Sequence, residues 1–269
     1  MRTVIHLSDL HFGRVDERLL DPLIKTISEI KPDLIAVSGD LTQRARSHQF
    51  LEARAFLDAL PQPQIVVPGN HDIPLHNVFA RFMRPLDKYR RYITDDLQPI
   101  YADEEMVVVG VSTARSLTIK GGRINREQMA FVREKLCSFE DDLVKILVTH
   151  HPFDLPEGYS ERDLVGRARM AMAGLAECGA DLFLAGHLHV TYSGQTAKRY
   201  NIQGHSALVV QAGTATSTRG RGETNSFNVI RLDHPNISVE RLSWDPDSVS
   251  FAIASEEHFR HSSAGWARV

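Results

Sequence analysis

Six short runs rich in Val, Ile and Leu alternate with longer stretches whose apolar residues recur every three or four positions. The runs are Thr3 to Leu7, Leu34 to Val37, Ile65 to Val67, Met106 to Val111, Val144 to Val148 and Leu182 to Ala185. This alternation constrains the fold more than any other feature of the chain. Short apolar runs that end in turn-forming or polar residues read as strands buried on both faces. Glu17 to Ile30, His48 to Leu60, Pro74 to Tyr92, Arg126 to Phe139 and Arg162 to Cys178 then read as the helices that cross between them. An α/β layer fold with parallel strands follows.

After His189 the pattern becomes strand-like. Val190 to Thr196, Ala207 to Ala212, Phe227 to Leu232, Ser238 to Ser243 and Val249 to Ile253 are joined by polar turns with no clear helix between them. They predict a β-rich C-terminal third that adds a second layer. No linker, low-complexity run or repeat divides the chain, so residues 1–269 are expected to form one domain. The tail 255–269 is polar apart from Phe259 and Trp266, and is expected to be a flexible or loosely docked end.

Composition narrows the function. A net charge of −3 and a pI near 6.5 argue against a dedicated nucleic-acid binder, which carries a basic excess. No run of about 18 apolar residues predicts a transmembrane segment, and the first residues carry no signal-peptide pattern. Cys137 and Cys178 are too few for a disulfide framework and lack metal-type spacing, which fits a cytoplasmic location.

Against those two cysteines stand 13 histidines. Many of them fall beside carboxylates, Asn or Gly just after an expected strand: Asp9-Leu10-His11, Gly39-Asp40, Gly69-Asn70-His71-Asp72, His150-His151 and Gly186-His187-Leu188-His189. Parallel strands open their carboxyl ends on one edge of a sheet, where such folds bind ligands. The five clusters therefore converge on one site.

Asp9, His11, Asp40, Asn70, His150, His187 and His189 offer mixed nitrogen and oxygen donors suited to Mn, Fe or Zn. Seven donors exceed one tetrahedral zinc and suit two divalent metal ions that share a carboxylate and a water. Asp40 is the natural bridge. From the residues alone, either His150 or its neighbour His151 could be the donor at that position.

In these clusters and their order the sequence resembles the calcineurin-like metallophosphoesterase superfamily. Their spacing is similar to the bacterial branch of class III cyclic-nucleotide phosphodiesterases and glycerophosphodiesterases. The resemblance implies a four-layer αββα sandwich and a dinuclear centre, with His150 as ligand. Asp9, His11, Asp40 and His189 would hold one ion, and Asp40, Asn70, His150 and His187 the other. His71 would touch the scissile phosphate or protonate the leaving group, and Asp72 would orient its imidazole. The implied reaction is phosphodiester hydrolysis by a metal-bridging hydroxide, with a cyclic nucleotide or glycerophosphodiester as substrate.

Other residues carry weaker signals. Arg14, Arg44 and Arg115 follow expected strand ends and are candidates for holding substrate phosphate, with His151 as a further pocket residue. Residues 217–223 read either as a specificity loop or as a hairpin turn. Arg81, Arg84, Lys88, Arg90 and Arg91 at helical spacing read as a solvated face.

A phospholipid or nucleotide-lipid substrate is the alternative. It would need an apolar groove, for which Phe153 to Met172 and the tail residues Phe259 and Trp266 are the sources in view. A nuclease would need a basic duplex-binding region that this chain lacks. A silent scaffold has no need of an intact donor set. A homo-oligomer, if formed, would use the β-rich third and its tail.

Overall fold

Apolar side chains on both faces of the same short strands force those strands between two further layers. The computed structural model describes residues 1–140, 142–219 and 222–269. In chain order the strands are β1 (Arg2–Leu7), β2 (Leu34–Ser38), β3 (Gln64–Val67), β4 (Ile100–Ala102), β5 (Met106–Gly110), β6 (Val144–Val148) and β7 (Leu182–Ala185), followed by β8 (Tyr192–Gln195), β9 (Leu208–Gln211), β10 (Ser226–Asp233), β11 (Asn236–Asp245), β12 (Ser250–Ser262) and β13 (Gly265–Arg268). The helices are α1 (Leu20–Ile30), α2 (Ser47–Ala59), α3 (Val78–Met83), α4 (Asp87–Tyr92), α5 (Arg126–Leu136), α6 (Ala168–Glu177) and α7 (Ala197–Tyr200).

Two mixed sheets result. One runs β13-β12-β11-β10-β1-β2-β3 and the other β4-β5-β6-β7-β9-β8. The centre of each is parallel: β1 pairs with β2 and β2 with β3, while β5, β6, β7 and β9 pair in turn.

The period-two alternation of a strand sorts the core. Ile5, Leu7, Ile35 and Val37 face a cluster with Leu23 and Ile27 of α1 and Phe50 and Phe56 of α2. Their neighbours Val4, Leu34 and Ala36 face Val108, Ile146 and Leu184 of the second sheet. Val109, Leu147 and Phe183 point away from that interface and pack with Val132 of α5 and Leu175 of α6. The order helix, sheet, sheet, helix is the expected αββα sandwich.

Four expectations change. The C-terminal strands do not form a layer of their own: β8 and β9 join the second sheet, and β10 to β13 extend the first. The tail is not loose, because Phe259 and Trp266 are buried between the sheets and the Trp266 Nε1–H donates to Asp181 Oδ1 at 2.7 Å. Pro74 to Tyr92 is not one helix. Pro85 follows the last residue of the α3 cap, Arg84, and cannot continue an α-helix, so α3 ends and α4 starts afresh. Finally, Cys137 and Cys178, just past α5 and α6, are disulfide-bonded. The cytoplasmic expectation rested partly on the two cysteines being too few for a disulfide framework, and a bond between them weakens that support.

Candidate metal centre

The loops after β1, β2, β3, β6 and β7 meet at one end of the two sheets. Their side chains form a buried group in which Asp9, His11, Asp40 and His150 are almost wholly shielded from solvent. Five of the expected ligand residues, Asp9, His11, Asp40, His187 and His189, adopt left-handed backbone with φ between +52° and +72°. Each such non-glycine residue costs about 1–2 kcal/mol, a strain that persists where surrounding structure over-determines it.

Hydrogen bonds aim the donor atoms. Asp9 Oδ2 accepts from Ser8 Oγ (2.7 Å) and from the His187 backbone N–H (2.9 Å). That leaves Oδ1 buried with no hydrogen-bond partner. It lies 3.5 Å from His11 Nε2 and 3.4 Å from His189 Nε2, themselves 3.4 Å apart. Asp40 Oδ1 accepts from the His71 N–H at 2.8 Å, which turns Oδ2 toward His11 Nε2 (3.8 Å) and His150 Nε2 (3.4 Å). His150 Nδ1–H donates to the Ser38 carbonyl at 2.8 Å, and its Nε2 stands 3.1 Å from Asn70 Oδ1. His187 joins His150 from the second sheet, with ring centroids 5.1 Å apart.

Two donor groups therefore exist, with Asp40 Oδ2 between them. Two glycines make room: a Cβ on Gly69 would stand 2.1 Å from Asp40 Oδ1, and one on Gly39, at φ +92°, 2.7 Å from His150 Nδ1.

Electrostatics follow from burial and proximity. Burial alone would raise Asp9, but the nearby imidazoles of His189, His11 and His150 together hold its carboxyl well below the usual range. Asp40 is likewise held low against burial by His150 and His11. Burial would lower His150, yet Asp40 outweighs it and pushes the imidazole up to about 9. His187 and His189, for which burial prevails, fall to about 3 and about 4.

An unpartnered buried carboxylate oxygen facing two imidazole nitrogens fits a cation better than any protein group within reach. Mixed N and O donors suit a borderline divalent ion.

Beside this group lies a cavity of about 190 Å³ lined by His71, Asn70, Gln43, Arg44, Lys120 and Arg219 among others. His71 Nδ1–H donates to the Gln43 carbonyl at 2.9 Å. Its Nε2 then keeps its lone pair and faces Arg219 Nη1 at 3.1 Å. Burial lowers the pKa of His71 from its ordinary value.

Asp72 does not orient this imidazole. Its carboxylate accepts from the backbone N–H groups of Leu41, Thr42 and Gly69 and from Thr42 Oγ1, pinning the loops after β2 and β3 together. Burial, reinforced by Asp40, pushes its carboxyl up to about 6.

His151 is also corrected as a substrate residue. It is fully buried, and both ring nitrogens are engaged at 2.8 Å, by Thr113 Oγ1 and by the Lys120 carbonyl. Of the arginines, Arg44 lines the cavity, and Arg14 lies close enough to Arg219 to influence its charge. Arg115 lines a separate depression with Arg123 and Arg167.

Arg219 was not singled out from sequence. The signal available was its position in the polar, Gly-interrupted stretch 217–223, of which Gly220 and Arg221 lie outside the described residues. Gln43 and Lys120 gave no signal at all.

Two sheets with helices outside and a His/Asp donor cluster at their joined carboxyl edge define a fold of the metallophosphoesterase type. The family model for calcineurin-like phosphoesterases matches residues 2–191, and the chain belongs to that family.

A glycerophosphodiester phosphodiesterase, GpdQ, of Enterobacter lignolyticus is 26% identical over 176 residues, and the match spans 59% of each chain. A probable cyclic nucleotide phosphodiesterase of Synechococcus is 26% identical over 93% of this chain and 95% of its own. Among solved structures, a purple acid phosphatase from yellow lupin seeds superposes with a TM-score of 0.72 at 13% identity, covering 96% of this chain and 53% of that one. A dimetal phosphatase from Danio rerio gives 0.65 at 14% identity over 94% and 98%. At such identities these two likenesses concern the fold.

Proposed function

We propose that the chain hydrolyses phosphodiesters at a dinuclear metal centre, with a cyclic nucleotide or glycerophosphodiester-type substrate. One observation carries the reading: Asp40 Oδ2 lies between the Asp9–His11–His189 group and the His150–Asn70 pair. Asp9, His11, Asp40 and His189 would hold one ion, and Asp40, Asn70, His150 and His187 the other. Two divalent ions in such a frame neutralise charge on the phosphate and supply an activated water at neutral pH.

The remaining work falls to this chain's side chains. In the reaction, water adds to phosphorus, one P–O ester bond breaks, and the departing oxygen takes a proton, giving a phosphomonoester and an alcohol. His71 Nε2, whose lone pair faces the cavity, would take up a proton from solvent and hand it to the departing oxygen, while the attacking water releases its own proton to solvent. Arg219 and Arg44 supply guanidinium donors for the non-bridging oxygens. The Gln43 carbonyl fixes the tautomer of His71 by holding its Nδ1–H.

The similarity to glycerophosphodiester and cyclic nucleotide phosphodiesterases supports this choice of substrates. The test is to load the protein with Mn, Fe or Zn, measure bound metal, and assay bis(p-nitrophenyl) phosphate, 3′,5′- and 2′,3′-cyclic nucleotides and glycerophosphocholine. Hydrolysis of a diester by the metal-loaded chain is the expected result. A metal-loaded chain inert toward all of them overturns the reading.

A further inference from the structure

Helix α3 is built inside out. Its sequence, Val-Phe-Ala-Arg-Phe-Met, buries the charged residue and exposes the apolar ones: Arg81 is 7% exposed, whereas Phe79 is 69% and Met83 67% exposed. A helix packed on a globular core does the reverse.

The guanidinium of Arg81 has a task inside. It donates to the backbone carbonyls of Pro74, Ser116 and Thr118, clasping α3 to the 114–123 loop. That loop, in turn, holds out Leu117 at 73% and Ile119 at 62% exposure. Val78, Phe79, Phe82, Met83, Leu117 and Ile119 thus make up six of the large exposed apolar side chains among the described residues, gathered on two segments joined by one arginine.

Two further facts say what this surface meets. First, it is the rim of the proposed reaction site: Ile119, Leu75 and Arg81 line the same cavity as His71 and Arg219. Second, residues 73–84 and 114–123 contain Arg81, Arg84, Arg115, Lys120 and Arg123 and no carboxylate, in a chain whose net charge is −3. Arg81 is turned inward on its three carbonyls and Arg84 stands 3.8 Å from Asp87, so Arg115, Lys120 and Arg123 carry the excess positive charge. An apolar patch beside such cations is the composition of a surface that lies in the interface of an anionic bilayer. A second copy of this chain would bring the same cations face to face.

We propose that α3 and the 114–123 loop seat the protein on an anionic phospholipid surface. The mouth of the metal centre then faces the headgroups, and the substrate class becomes the phosphodiester of a membrane glycerophospholipid. Phe79 and Leu117 enter the headgroup region, Lys120 meets a lipid phosphate, and the headgroup phosphodiester reaches the cavity past Ile119. The substrate half rests on the hydrolysis proposed above, with the same balance of water in and phosphomonoester and alcohol out. Of the apolar sources sought in Phe153 to Met172 and in the tail, Phe153, Leu155, Met172, Phe259 and Trp266 are core residues, which leaves Met170 as the large apolar side chain exposed in the first segment.

The test separates the surface from the chemistry. Metal-loaded protein is sedimented with vesicles of phosphatidylglycerol and phosphatidylcholine, and with phosphatidylcholine alone. Lipid hydrolysis and bis(p-nitrophenyl) phosphate hydrolysis are measured in parallel. The expected result is binding that favours the anionic vesicles and weakens with salt. In the double variant Phe79→Ser, Leu117→Ser, binding and lipid hydrolysis fall about tenfold or more, while turnover of the soluble diester is unchanged.

Wild-type protein that stays in the supernatant yet cleaves the soluble diester overturns this inference and leaves the hydrolysis standing. Vesicle binding with no diester cleaved does the opposite. A dimer in sedimentation velocity that the double variant dissolves, without vesicle binding, assigns the patch to a second copy and also overturns it.

Discussion

Asp40 is the residue on which the centre turns, because one carboxylate oxygen faces donors from both groups. Asp40→Asn keeps the size and the contact with the His71 N–H but removes the shared charge. The expected outcome is a fall from about two bound ions to fewer than one, with activity lost in step, as elemental analysis beside a diester assay would record. His71 differs because its ring faces the Gln43 carbonyl and Arg219. His71→Ala should keep its metal and lose about 10²–10⁴ in kcat. Loss of metal in that variant would make His71 a ligand and end its role in proton transfer. The convergence of these Asp, Asn and His side chains was legible in the sequence because parallel strands bring their carboxyl ends to one edge of a sheet. The partner of His71 was not, since the group that holds it is the backbone carbonyl of Gln43, and a backbone carbonyl leaves no trace in residue type.

At the scale of elements, the strands of the parallel centre were legible because burial on both faces writes an unbroken apolar run. The edges were not. In β12, next to the edge strand β13, much of the strand faces solvent while Phe259 is buried, so a long outer strand reads as a polar tail. Its contribution is measurable: Trp266→Ala should cost about 3–5 kcal/mol in urea unfolding, with metal content unchanged, whereas a loosely docked end would cost almost nothing.

His6 ties β1 to its neighbours, with Nε2 2.9 Å from Ser38 Oγ of β2 and Nδ1 3.4 Å from Asn228 Nδ2 of β10. Burial lowers its pKa from 6.5 to about 3. Between those values the unfolded chain binds a proton that the native chain does not. His6 therefore makes stability fall as pH drops through that window, by up to about 1.4 kcal/mol per pH unit. Denaturant titrations from pH 7 to pH 5 should show a smaller loss in His6→Gln than in wild type. Equal pH dependence in the two would remove His6 as its source.

For the whole molecule, the sandwich was legible from alternating strand and helix signals, but the partition of strands between sheets was not. Which edge a C-terminal strand joins depends on pairings across more than 200 residues, as between β1 and β10, and local pattern carries no record of them. The same partition has a thermodynamic consequence. Asp9, His11, Asp40 and Asn70 come from the loops of the first sheet, and His150, His187 and His189 from those of the second, so an ion shared among them is a cross-link between the two halves of the sandwich. Ligands that bind only the native state raise its stability by mass action, by about 4 kcal/mol at a thousandfold excess over Kd. Chelator-treated protein should therefore melt several degrees lower than the metal-loaded form in calorimetry, with the difference growing as free metal is raised. Occupancy of the centre would then set how long the protein lasts as well as whether it acts, and metal scarcity would reach the cell as a shortage of folded protein.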